Sequence, residues 1–186
     1  MSYYAHLDSA SRFESTNLQL YSLKKAACEW NELVDLIMDH GIGHFDHFKE
    51  RRVFILSCLG LSLSQLLGQN CPSPEKEKMD NPGVLMGKIL KNDHVDRTKR
   101  RRLNSTFNDF LLYYDAVRHF GENKNQKNYR TIDQLTLKRL NRFVHMTVEI
   151  WDIIIEMHRK NPKNNIDDFI SISDDAIPFK DLPEGI

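Results

Sequence analysis

The densest concentration of groups able to hold an anion or move a proton is the run Tyr113-Tyr114-Asp115-Ala116-Val117-Arg118-His119-Phe120-Gly121. Arginine offers a planar fork of donors suited to phosphate, and histidine titrates near neutrality, so Arg118 and His119 have the chemistry of an anion holder beside an acid-base group. On a helical wheel Arg118 falls about 60° from the centre of the stripe running from Leu103 to Val117, and His119 about 160° away. A guanidinium at the edge of a buried face needs an acceptor, whether a carboxylate, carbonyls, a second subunit or a bound phosphate. Asn123 and Lys124, in the polar stretch after Gly121, could supplement a phosphate site. The bland reading is a helix stop, since the macrodipole favours cations in a last turn by about 0.3–1 kcal/mol each and glycine commonly follows.

Three further constellations bear on chemistry. Arg97, Lys99, Arg100, Arg101 and Arg102 form a concentrated positive patch that could contact several phosphates, or be a solvated helix start. His40, His44 and His47, with Asp39 and Asp46, are the densest set of potential metal ligands. Their spacing crosses Gly41 and Gly43, which places them in a turn without the fixed geometry of histidines on consecutive helical turns, so no metal is assigned. Arg139 and His145 have a tempting interval, yet on one helix they point about 120° apart. His145 instead reads as solvated, with Glu149 one turn on as its partner. Neither GxxxxGK nor GxGxxG occurs, and GxSxG and HExxH are absent too, so no nucleotide or other cofactor is implied. Cys28 and Cys58 fall among apolar residues, where burial would raise a thiol pKa and disfavour nucleophilic catalysis.

The elements that must position these groups are helices. Leu20, Leu23, Ala27, Trp30, Val34 and Ile37 repeat at intervals of three and four after a capping box at Ser11 and Glu14, and Gly41 ends that helix. A second helix begins near Asp46 and carries Val53, Leu56, Leu59, Leu63 and Leu66, with Phe54, Ile55 and Leu67 widening the apolar arc until Gly68. Pro82 opens a short helix through Leu90. Leu103, Phe107, Phe110, Tyr114 and Val117 mark another long helix, stopped by Gly121. A capping box at Thr131 and Gln134 introduces the last, with Leu140, Phe143, Thr147, Ile150, Ile154 and Met157 as its stripe and Asn161-Pro162 as its stop. The expectation is an all-α bundle of four long helices plus one short helix, spanning residues 1–161, followed by a C-terminal tail, 162–186, that is docked or disordered.

A length of 186 residues suits one such domain. The 26 basic and 26 acidic side chains balance, so any nucleic-acid surface must be local. Three cysteines without CxxC spacing suggest a reducing, cytoplasmic setting. No leader-like N-terminus or membrane span is expected, because the longest greasy stretch, Val53 to Leu67, is interrupted by Ser57, Ser62, Ser64 and Gln65.

A long helix ending in arginine plus a polar residue, within a small helical bundle and followed by a loop and a further long helix, resembles the HEPN superfamily. The resemblance covers about Phe107 to Lys124, together with the helix order. It implies a bundle that homodimerises around the motif, and in active members a metal-independent ribonuclease of prokaryotic defence or toxin-antitoxin systems. There the arginine holds the scissile phosphate and a histidine four to seven positions beyond it assists attack by the ribose 2′-hydroxyl. In this chain the residues after His119 are Phe120, Gly121, Glu122, Asn123, Lys124 and Asn125, none of them histidine. Either His119 itself does the proton work, or the domain binds RNA without cleaving it. The competing reading is a non-catalytic module that dimerises or docks a protein through the tail or through the second apolar row of the last helix, Val144, Val148, Trp151 and Ile155.

Overall fold

The structure is a computed structural model that describes residues 9–41, 49–69, 86–87, 90–91, 95–118, 132–160 and 178–185, with the backbone alone at 9–21, 64–69, 118 and 157–159. Among the described residues the long helices are α1 (Ser9–His40), α2 (Lys49–Gln69), α3 (Arg97–Arg118) and α4 (Leu137–Lys160). No strand occurs among the described residues, and the architecture is an all-α bundle. Met86, Gly87 and Leu90 are helical too, within the stretch where the short helix was expected.

The periodic apolar residues form the core. On α1 the buried side chains are Leu23, Ala26, Ala27, Trp30, Leu33, Val34 and Ile37, the three-and-four spacing of one helical face. Beyond His40 the backbone turns left-handed at Gly41 (φ 87°), whose amide donates to the Ile37 carbonyl at 2.7 Å. That geometry is costly for any residue with a Cβ and explains why the helix stops there. α1 makes its most extensive contact with α2, and α2 also touches α3 and α4. The central helix accordingly buries Ile55, Leu56, Cys58, Leu59 and Leu63, and the polar Arg52 and Ser62 with them. Phe54 departs from the expected arc and is exposed, because on the helical wheel it lies about 170° from the stripe through Leu56 and Leu59.

Aromatic rings join α3 to α4. Phe110 stacks on Tyr114 at 5.7 Å between centroids and meets Phe143 of α4 edge-on at 5.5 Å. Tyr114 also lies against the backbone of α2 at Gly60, where an added Cβ would collide with the Tyr114 ring. Two polar groups inside this core are paired within the chain: the Trp151 indole donates to Ser62 Oγ at 3.2 Å, and the Thr147 hydroxyl to the Phe143 carbonyl at 2.8 Å.

Helix starts differ from those read in the sequence. α1 begins at Ser9, ahead of the Ser11 and Glu14 pair. α3 begins at Arg97 on an unanticipated cap: Asp96 Oδ1 accepts from the Lys99 amide at 2.9 Å. α4 begins at Leu137, later than the expected box at Thr131 and Gln134. Ile132 and Asp133 form a separate turn, closed by the Leu135 amide on the Ile132 carbonyl at 3.1 Å, and the functional cap is Thr136, whose Oγ1 accepts from the Arg139 amide at 3.2 Å.

The final segment lies docked. Residues 178–185 lie against α1 as an irregular segment closed by a turn at Glu184 and Gly185, with Phe179 and Leu182 packed against the core.

Candidate functional site at the α3 to α4 junction

α3 and α4 run antiparallel, so the end of α3 meets the start of α4. The ion pairs fix that register: Arg102, near the start of α3, reaches Glu149, while Asp109 and Tyr113 reach Arg139. Arg118 is the last residue of α3, and its side chain lies outside the described residues, as do His119, Asn123 and Lys124. Position 118 follows buried Tyr113, Ala116 and Val117, which hold the terminal turn of α3 against the core.

The described chemistry nearest that turn centres on Arg139. Its Nη1 donates to the Tyr113 hydroxyl at 2.6 Å, its Nε lies 3.2 Å from Asp109 Oδ2, and its guanidinium carbon stands 5.4 Å from the Tyr113 ring centroid. Stacking and the carboxylate together fix this half-buried α4 cation against α3, where Tyr113 lies less than two turns before Arg118. In the sequence Arg139 has only His145 as an apparent companion, at an interval that one helix turns about 120° apart. A signal for its role existed, because a helix-facing arginine opposite an aromatic-rich helix end has few alternatives to stacking.

At the same end of the bundle, Arg52 is 3% exposed and its Nη1 donates to the Leu135 carbonyl at 3.3 Å. This buried cation ties α2 to the turn before α4, and nearby Lys49 Nζ lies 2.6 Å from Asp133 Oδ1. Arg52 went unnoticed in the sequence although it stands four residues before Leu56, on the buried row itself.

The basic run divides by partner. Arg102 forks onto Glu149, Nη1 to Oε1 at 3.0 Å and Nη2 to Oε2 at 2.8 Å, and these hydrogen bonds raise its already high pKa. Its donors facing Glu149 are committed to α4. Arg100 donates from Nη2 to the Val95 carbonyl at 3.2 Å, and its buried Nε has no hydrogen-bond partner. Arg101 is exposed, with no ion pair among the described residues. The structure therefore separates this run, at the start of α3, from Arg118 at its end, some 30 Å along a helix of this length.

His145 takes a different partner from the one expected. Glu149 is engaged by Arg102, and His145 Nε2 instead lies 3.8 Å from Asp181 of the C-terminal segment. The second apolar row of α4 is largely internal: Val144 and Trp151 are buried, and Val148 and Ile155 half-buried. Its main members thus meet this chain's own core. Cys28 is exposed rather than on the apolar face, because it sits one residue round the helix from buried Ala27. Burial pushes the Cys58 thiol pKa up, which opposes a nucleophilic role.

His44, His47 and Asp46 lie outside the described residues, and no group of three metal-binding side chains occurs among the described ones. No helix among the described residues is long and apolar enough to cross a membrane. Compared with family models, curated proteins and solved structures, the chain matches none.

Proposed function

We propose that the chain is a HEPN-like helical protein that binds or cleaves RNA, with Arg118 holding a phosphate at the end of α3. The observation that carries this reading is the position of Arg118 as the closing residue of a 22-residue helix, packed by its last turn into an all-α bundle. A guanidinium carried on a helix end packed into a core would hold a phosphate from a fixed backbone, which is what phosphate positioning requires. His119 follows directly and supplies the acid-base group if the chain cleaves RNA; Asn123 and Lys124 add donors. Arg101, exposed at the far end of α3, gives a second phosphate contact on a longer strand. The HEPN-like reading also carries a homodimer arranged around Arg118 and a place in prokaryotic defence or toxin systems.

Cleavage through the ribose 2′-hydroxyl needs no metal and leaves a 2′,3′-cyclic phosphate. The test is incubation of the full chain with single-stranded RNA in EDTA, followed by identification of the product ends. Cyclic phosphate ends that disappear in Arg118→Ala, with circular dichroism and melting temperature retained, support cleavage. RNA bound but uncut supports the binding form. A folded wild type that neither binds nor cuts RNA sinks the proposal.

A further inference from the structure

The C-terminal segment is held in a way that reads its backbone. Asn31 of α1 clamps it from both sides, donating from Nδ2 to the Pro178 carbonyl at 3.0 Å and accepting from the Lys180 amide at 2.8 Å. The Trp30 indole donates to the Lys180 carbonyl at 2.8 Å. Side chains add a pattern to these contacts. Phe179 and Leu182 pack on the core, Lys180 Nζ bonds both oxygens of Asp35 at 2.7 and 2.8 Å, and Asp181 lies 3.8 Å from His145 of α4. The segment thus bridges α1 and α4, two helices that share little direct contact.

A two-sided amide clamp around one residue, flanked by apolar seats and a carboxylate, is how a surface recognises a peptide segment: backbone hydrogen bonds hold the chain and the seated side chains choose it. We infer that the face of α1 and α4 built on Trp30, Asn31, Asp35 and His145 is a peptide-recognition groove, and that residues 178–185 are its built-in occupant. The partner it fits is a segment of another protein with the pattern apolar, lysine, acidic, apolar, as in Phe179-Lys180-Asp181-Leu182. Such a partner competes with the tail. The ion pair holding Lys180 is half-exposed on both sides, a class of contact that contributes little, so the attachment rests on the amide clamp and two apolar side chains. The tail belongs to the same chain as its seat, and covalent attachment supplies an effective concentration on the order of millimolar, which sets the level an outside peptide must reach. This inference is independent of the RNA reading.

The test uses the full chain and a fluorescein-labelled peptide carrying the sequence of residues 176–185. The groove predicts at least tenfold tighter binding to the Phe179→Ala/Leu182→Ala chain, whose own tail is weakened, than to the wild type, and at least a tenfold loss when Asn31→Ala is added to it. Equal binding to both chains, indifference to Asn31→Ala, or equal binding of a scrambled peptide overturns the inference. A second measurement needs no variant: at millimolar peptide the Lys180 amide of the wild-type chain exchanges with solvent at least tenfold faster than with scrambled peptide. No acceleration also overturns it.

Discussion

Arg51, in the first turn of α2, reaches Glu32 at 2.9 Å and Glu29 at 3.2 Å on α1. The hydrogen bond from Arg51, and then its charge, hold the Glu32 carboxyl below the ordinary carboxylate range. A carboxyl with a lowered folded-state pKa contributes stability that is complete above its unfolded pKa and is lost as pH falls through the folded one. Arg51→Gln is therefore expected to lower the melting temperature at pH 7, and the gap from wild type should close as pH drops below the carboxylate range. Thermal melts across pH 7 to 2 check this, and a gap that stays constant would contradict the pairing. The same logic of partners sorts the other cations. Arg102 has its carboxylate in Glu149, Arg139 has Asp109 and Tyr113, and Lys180 has Asp35. Arg101 has none among the described residues, which suits it to a ligand. None of these pairings is legible in sequence, because each joins residues on different elements and depends on register.

At the scale of elements, the three-and-four spacing predicted the buried faces closely. Trp30, Val34 and Ile37, Leu56, Leu59 and Leu63, Phe107 and Phe110, and Leu140, Phe143 and Ile150 are all internal. Caps were harder to read, since Thr131 with Gln134 and Thr136 with Arg139 both offer a hydroxyl before an apolar run. The turn at Ile132 to Leu135 decides between them. Gly60 carries information that spacing could not give. It lets the Tyr114 ring rest on the α2 backbone, so Gly60→Ala must displace a ring stacked on Phe110. A cost of about 1–3 kcal/mol is expected from such overpacking, offset only in part by the better helix propensity of alanine. In a Tyr114→Ala background the collision is gone, so Gly60→Ala should there be neutral or stabilising. Chemical denaturation of the four chains of this cycle measures the coupling, and simple additivity would refute the close approach.

For the whole molecule, a formal charge of zero and a core shared by all four helices describe a bundle whose interactions are local rather than driven by a global field. The two proposed surfaces sit where helices meet: the Arg118 end of α3 beside the start of α4, and the face of α1 and α4 covered by residues 178–185. The first was visible in the sequence as a cluster of residue types. The second was visible only as an apolar and acidic tail, because its recognition depends on Asn31 and Trp30, residues that look like an ordinary helix surface and core. The central claim is that Arg118 holds a phosphate, and the most direct measurement is the anisotropy of a labelled single-stranded RNA titrated with wild-type and Arg118→Ala chains of matched circular dichroism. The account predicts saturable binding by the wild type, weakened by rising salt, and at least a tenfold loss of affinity in Arg118→Ala with its melting temperature kept. Unchanged affinity in the folded variant, or no binding by the wild type, would contradict it.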